Sequence, residues 1–155
     1  MQLEEKREFA SPFTGILCPI GEAPDPVFAG KMMGDGFFVL PEDGAVVAPE
    51  ASTVDTVMDT KHALGLTTLD GVEYLLHIGI DTVKLQGEGF TVFVKPGQEV
   101  KKGDKLLVFD PAYLKAHAPS DACLCVFPSL AEGKVVCLNG GAHCKIHALD
   151  VAVRF

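Results

Sequence analysis

Short apolar runs separated by turn residues recur along the whole chain. Pairs such as Asp70-Gly71, Pro96-Gly97 and Gly140-Gly141 interrupt the sequence about every eight to twelve residues, and no long segment has a helical period. We therefore predict strands at 37–40, 72–80, 91–94, 105–109, 124–127, 135–138 and 151–155. This spacing is typical of an all-β protein, an antiparallel β-sandwich or a flattened barrel.

Two short segments carry the signals of helical turns within this β pattern. Asp110 can act as an N-cap before a proline, and Pro119 stops the segment. Asp25 is also followed by a proline, and Gly30 ends that turn. No linker composition interrupts the chain, so we expect a single domain over residues 1–155, with 1–8 as a flexible lead-in.

Charge and composition narrow the possible partners and location. The formal net charge is −8, which argues against a nucleic-acid partner. With 48% hydrophobic and 22% charged residues the chain has a globular composition. The charged N-terminal segment is unlike a signal peptide, and no apolar run could insert in a membrane. Five cysteines, an odd number, fit free thiols, so we expect a cytoplasmic protein.

The segment 71–83 contains the first candidate for chemistry, His77. If this segment is a strand, its side chains alternate between two faces. The face predicted to point into the core carries Tyr74, Leu76, Ile78 and Ile80. The opposite face carries Glu73, Leu75, His77, Gly79, Asp81 and Val83. Because Gly79 has no side chain, His77 would be sterically open on that face.

A second histidine, His62, lies in the upstream segment 58–64. The same alternation would place Met58, Thr60, His62 and Leu64 on one face. If the two strands are neighbours, the imidazoles of His62 and His77 approach each other. An exposed patch of apolar residues would then surround them, as is typical of a docking site. The spacing also allows isolated structural histidines or half of a zinc site, so these alternatives stay open.

Six motifs in order carry a resemblance to a known family. They are Ser-Pro-Phe-Thr-Gly at 11–15, Pro-Asp-Pro-Val-Phe-Ala at 24–29, Lys-Met-Met-Gly-Asp-Gly at 31–36, Thr-Lys-His-Ala at 60–63, Leu-His-Ile-Gly-Ile-Asp-Thr-Val-Lys-Leu-Gln-Gly-Glu-Gly-Phe at 76–90 and Gly-Gln-Glu-Val-Lys-Lys-Gly-Asp at 97–104. In these motifs the chain resembles the glucose-type IIA (EIIA type 1) proteins of the bacterial phosphoenolpyruvate-dependent sugar phosphotransferase system. The similarity is lower from Pro119 onward. Tyr74 stands where the family usually has an aliphatic residue, and Ala51-Ser52 where it usually has Asp-Gly.

The resemblance implies a role for each matching residue. His77 is expected to be the phosphorylated nucleophile, attacking through Nε2. His62 is expected to be its phosphoryl-stabilising partner, and Thr60 to orient His62. The resemblance and the predicted exposed face together imply a partner-binding surface formed by Val27, Phe28, Met58, Leu64, Leu75, Gly79, Asp81 and Val83.

The implied activity is a phosphotransferase relay. The carrier protein HPr would donate a phosphoryl group to His77, and a cysteine of a IIB domain would accept it for sugar uptake. The chain has no nucleotide-binding loop, and we expect no cofactor and no catalytic metal. Regulated transporters or kinases are further partners implied by the family. Which sugar is transported, and whether the chain is part of a larger permease, stay open.

Three other functions have some support in the sequence. A biotinyl or lipoyl carrier needs a modifiable lysine at a hairpin tip, and Lys31 before a methionine is the available candidate. A purely regulatory binding protein could use the same face, although both histidines are retained. A metal site in the tail could use Cys123 and Cys125, or His143, Cys144 and His147, but no zinc-finger spacing links the cysteines.

Overall fold

Antiparallel strands dominate the computed structural model, which describes residues 6–155. Within this range there are fourteen strands and two short α-helices. The strands are β1 Glu8–Ala10, β2 Gly15–Pro19, β3 Asp35–Pro41, β4 Ala45–Val47, β5 Ser52–Val57, β6 Ala63–Thr68, β7 Glu73–Ile80, β8 Phe90–Val92, β9 Glu99–Val100, β10 Lys105–Phe109, β11 Ser120–Phe127, β12 Cys137–Leu138, β13 Cys144–Ile146 and β14 Val151–Arg154. The helices are α1 Pro26–Ala29 and α2 Pro111–His117, and 3-10 turns cover Ile20–Glu22 and Thr82–Leu85. The predicted antiparallel β class with short helical turns is confirmed.

The strands form three sheets around one core. The largest has eight strands in the order β13-β2-β3-β11-β7-β6-β5-β9, and two three-stranded sheets have the orders β1-β14-β12 and β4-β10-β8. All three contribute buried side chains to one apolar cluster, for example Val153, Leu107 and Leu76. Facing sheets with a shared core are the arrangement of an open sandwich.

The central strand β11 is apolar on both faces. Cys123, Cys125 and Phe127 point into the main core, whereas Leu124 and Val126 belong to a second cluster on the other face of the large sheet. That second cluster lies beneath α1 and the turn Ile20–Glu22, and Phe28 of α1 is part of it. A strand that is buried on both faces carries apolar residues at successive positions, so the alternation of polar and apolar residues is weak in β11.

Both helical turns begin as the sequence predicted. The Asp25 carboxylate accepts a hydrogen bond from the Val27 amide at 2.8 Å, and the Asp110 carboxylate accepts one from the Tyr113 amide at 3.2 Å. Each N-cap satisfies an amide that the first helical turn leaves free. α2, with seven residues, is the longest helix between residues 6 and 155, and none there has the length and apolarity to cross a membrane.

The N-terminal segment differs from the predicted lead-in. Residues 1–5 of that segment lie outside the described part of the chain, but Glu8 begins β1, which pairs with β14. The Arg7 guanidinium binds the carboxylates of Glu50 and Asp70, at 2.7 Å for Asp70. These contacts raise the pKa of Arg7 and lower that of Asp70. Contacts with residues distant in sequence therefore hold Arg7 and Glu8 in place.

Tyr74 and Ser52, two departures from the family pattern, contact each other. The Tyr74 hydroxyl and Ser52 Oγ are 2.7 Å apart, and both residues are 1% exposed. The Ser52 hydroxyl also lies 3.0 Å from the carbonyl of Glu50, to which it can donate. A buried phenol needs a hydrogen-bond partner, and the serine supplies it at the first residue of β5.

Candidate functional site

His77 lies on the outer face of the eight-stranded sheet. Tyr74, Leu76 and Ile78 of β7 point into the main core, as the alternation predicted. His77 pairs across the sheet with Leu124 on one side and Ala63 on the other. The neighbouring β6 residue is small, so the imidazole is only partly covered by the sheet.

The alternation of β7 ends at Gly79. This glycine has φ +75°, and Asp81 is also left-handed at φ 56°. The pairing of β7 with β11 loses its regular register between Ser120 and Cys123. As a result Ile80 belongs to the second cluster on the outer face, and its predicted position in the main core is wrong. A side chain at position 79 would lie 2.5 Å from Thr82 Cγ2, so both the conformation and the space require glycine.

This irregular backbone fixes the proton on His77. Nδ1 lies 2.8 Å from the carbonyl oxygen of Gly79. A carbonyl oxygen only accepts hydrogen bonds, so the neutral imidazole carries its proton on Nδ1 and donates it there. Nε2 is then left with a lone pair, which is the form that a nucleophile needs.

His62 reaches His77 from a loop. The strand alternation applied to 58–64 does not hold, because β5 ends at Val57 and β6 begins at Ala63. Between them Lys61 adopts φ 63°, a left-handed conformation that breaks any alternation. The two imidazoles are nevertheless in contact, with centroids 4.8 Å apart and planes at 82°.

Two hydrogen bonds hold His62 in place. Its backbone carbonyl accepts from the Ile78 amide at 2.8 Å, which ties the loop to β7. Its Nδ1 lies 2.7 Å from Thr60 Oγ1. When the threonine hydroxyl donates to Nδ1, the imidazole carries its proton on Nε2 and can donate it to an acceptor near His77. Thr60 and His62 are therefore in contact, and the orienting role of Thr60 stays a prediction.

Burial keeps both imidazoles in the neutral form. Desolvation lowers the pKa of His77 to about 4, and the nearby His62 adds to the lowering. The Gly79 carbonyl and the carboxylates of Asp25 and Asp81 act in the opposite direction. The pKa of His62, which is 4% exposed, is also lowered by burial. At neutral pH the site thus offers a neutral nucleophile beside a neutral hydrogen-bond donor.

Comparison with known proteins identifies the family. A family model described as phosphoenolpyruvate-dependent sugar phosphotransferase system, EIIA 1, matches residues 7–132. The chain belongs to this EIIA family. A solved structure, the glucose permease IIA from Mycoplasma capricolum, is 35% identical over 99% of this chain and 99% of that one, with a TM-score of 0.88.

Membership confirms the resemblance seen in the sequence. The chain is an EIIA phosphocarrier, a phosphotransferase relay component of sugar uptake, and EIIA proteins interact with HPr and IIB partners. The family match ends at residue 132 and so includes the first part of the segment after Pro119, where the sequence similarity was expected to be lower. The similar structure extends through the last strands as well.

The surface around the EIIA histidines contains most of the predicted docking residues. Val27, Met58 and Val83 are 41%, 43% and 47% exposed, on segments that flank the two imidazoles. Asp81 is also exposed, and Leu75 is partly buried beside the second cluster. Val27, Met58 and Val83 form an apolar rim, and the Asp81 carboxylate lies near His77.

Three predicted docking residues lie deeper. Leu64 is 0% exposed and belongs to the main core, so its assignment to the docking surface is wrong. Leu64 pairs with Leu76, which points into the core, whereas its neighbour Ala63 pairs with His77. Phe28 is 7% exposed, but its ring lies 5.1 Å from that of His77 and forms a wall of the site. Gly79 is buried and acts through its carbonyl.

The alternatives raised by the sequence find different surroundings. Lys31 lies in a turn that follows α1 and not at a hairpin tip. Its Nζ is 3.6 Å from the carboxylate of Asp35. Cys123 and Cys125 are in the core, where burial raises the pKa of each thiol well above its ordinary value. The imidazole of His143 pairs with Glu22 at 2.8 Å. Across residues 6–155, no group of three or more His, Cys, Asp or Glu side chains is arranged to hold a metal ion.

Sequence reasoning assigned no role to two elements of the EIIA site. Thr82 donates to the Ile78 carbonyl, and the Ile78 amide binds the His62 carbonyl. Backbone groups leave no side-chain signature, so the Ile78 contacts had no signal in the sequence. Thr82 lies within the longest matching motif. Gly79, in the same motif, was the one indication in the sequence that the backbone changes direction there.

Proposed function

We propose that Nε2 of His77 accepts the phosphoryl group from the phosphohistidine of HPr and passes it to a cysteine of a IIB domain. The observation that carries this assignment is the hydrogen bond between His77 Nδ1 and the Gly79 carbonyl, which directs the lone pair of Nε2 outward. In the first transfer the nitrogen–phosphorus bond of HPr breaks as the Nε2–phosphorus bond forms. In the second, the cysteine thiolate attacks phosphorus and neutral His77 leaves.

His62 stabilises the phosphoryl group in this proposal. Its ring is at right angles to that of His77 and close to it, and the Thr60 hydroxyl can hold its proton on Nε2. A phosphoryl group on His77 would present its oxygens to this donor, and hydrogen bonds to charged oxygens are among the stronger ones in proteins. The role of His62 is therefore to bind the charge that moves through the site.

The partners would dock on the rim around His77. Val27, Met58 and Val83 supply exposed apolar contacts, and the carboxylates of Asp25 and Asp81 act electrostatically on the imidazole. Apolar patches with complementary charge at their edge favour protein association. We further propose that the relay operates in the cytoplasm, and that the described residues act as one EIIA domain because all three sheets share one core.

The experiment is intact mass after incubation with phosphoenolpyruvate, Enzyme I and HPr. Wild type should gain one acid-labile phosphoryl group, His77→Ala should gain none, and His117→Ala, which removes an exposed imidazole outside the site, should behave as wild type. His62→Gln should accept the group and fail to pass it to IIB. An adduct on His77→Ala, or none on wild type with active HPr, would contradict the proposal.

A further inference from the structure

The backbone from the Ile78 amide to the Gly79 carbonyl is held by three hydrogen bonds and connects both histidines. The Ile78 amide donates to the His62 carbonyl at 2.8 Å. The Ile78 carbonyl accepts from Thr82 Oγ1 at 2.5 Å, and the next carbonyl, that of Gly79, accepts from His77 Nδ1 at 2.8 Å. The orientation of this short backbone segment therefore determines where both imidazoles lie.

Thr82 is placed to control that orientation. It is 0% exposed and is the first residue of the 3-10 turn that follows left-handed Asp81. Its methyl group occupies the space beside Gly79, where an added Cβ would lie 2.5 Å away, while its hydroxyl binds the Ile78 carbonyl. A β-branched side chain held by packing has little rotational freedom, so its hydroxyl is a fixed donor.

We propose that Thr82 is a positioning residue for phosphoryl transfer, which keeps the proton of His77 on Nδ1 by holding the Ile78–Gly79 peptide. The inference rests on the proposed function of His77. Without the hydroxyl, the buried Ile78 carbonyl loses its donor, and the peptide must rotate to find another. Rotation moves the adjacent Gly79 carbonyl away from Nδ1. The imidazole can then place its proton on Nε2, where it blocks the attacking lone pair.

Four variants separate this role from simple packing. Thr82→Val keeps the shape and removes the hydroxyl, whereas Thr82→Ser keeps the hydroxyl and removes the methyl group. Thr82→Ala differs from Thr82→Ser by the oxygen alone. The matched control is Thr68→Val, since Thr68 is also buried, at 4% exposed, and its hydroxyl also binds a turn, by accepting from the Val72 amide.

The first measurement is the tautomer of His77 at neutral pH, from the 15N chemical shifts of its ring in the unphosphorylated protein. The second is the rate of phosphoryl transfer from HPr. Wild type, Thr82→Ser and Thr68→Val should carry the proton on Nδ1. In Thr82→Val the proton should move toward Nε2, and the transfer rate should fall by between about 10-fold and about 100-fold.

Each outcome decides the proposal. A wild-type tautomer and rate in Thr82→Val would overturn it, and so would a Thr82→Ser variant as impaired as Thr82→Val. If Thr82→Val does not fold, the comparison of Thr82→Ser with Thr82→Ala decides in the same way. The tautomer is read before any phosphorylation. If wild type accepted no phosphoryl group, the proposed function would be contradicted. The tautomer of His77 would still test the role of Thr82.

Discussion

Replacing His77 by glutamine should flatten the pH dependence of stability. The pKa of His77 is about 4 in the folded protein because of burial, whereas an exposed histidine in the unfolded chain has a pKa of about 6.5. Between these two values the unfolded chain binds a proton that the folded protein does not. The free energy of unfolding contributed by His77 is therefore fully present above pH 6.5 and is lost as the pH falls toward 4.

The expected loss follows from proton linkage. At pH 5 about one folded molecule in ten would carry a protonated His77, but nearly every unfolded chain would. From pH 7 to pH 5 this difference lowers the free energy of unfolding by about 2 kcal/mol. Glutamine has a similar size and no charge to titrate, so His77→Gln should lose about 2 kcal/mol less than wild type over that range.

The assay is urea denaturation at pH 7 and at pH 5, followed by far-ultraviolet circular dichroism because the chain has no tryptophan. His147→Gln, which removes an exposed imidazole, sets the baseline for losing a histidine elsewhere. If wild type and His77→Gln lost the same free energy of unfolding between pH 7 and pH 5, the argument that burial holds His77 neutral would be refuted. An NMR titration of His77 with a midpoint near 6.5 would refute it directly.

Two stability predictions follow from contacts that the structure adds. Leu64→Ala should lower the free energy of unfolding by about 2–5 kcal/mol because the side chain is fully buried, whereas exposed Met58→Ala should change it by less than about 0.5 kcal/mol; equal effects in urea denaturation would contradict this assignment. Tyr74→Phe and Ser52→Ala should show a coupling of about 1 kcal/mol in a double-mutant cycle, because each removes the same buried hydrogen bond. Additive losses would show that this bond does not stabilise the fold.

Local features of the fold were readable from neighbouring residues. An N-cap depends on a side chain and an amide two or three positions away, so Asp25 and Asp110 were sufficient to predict both helical turns. The alternation that placed Leu76 in the core and His77 on the outer face depends on one continuous strand. Where the backbone stayed regular, the predictions of face were correct.

Errors arose where the backbone leaves a regular conformation. Lys61 is left-handed without being glycine, and a period-2 pattern cannot represent such a residue, so the strand alternation applied to the loop carrying His62 does not hold. The same assumption placed Leu64 on the docking surface and Ile80 in the main core. At Gly79 a single residue with positive φ placed Ile80 on the outer face, and at Leu64 the change from the His62 loop to β6 placed the side chain in the main core.

The sequence by itself determined the β class, the helical turns, the family and the two histidines as candidates, because these depend on short segments and on motifs. Only the tertiary structure decided that His62 and His77 touch, that Arg7 is anchored by Glu50 and Asp70, and that Tyr74 finds Ser52. These contacts join residues between 15 and 63 positions apart. Their geometry is fixed by how the sheets pack and pair, which neighbouring residues in the chain do not specify.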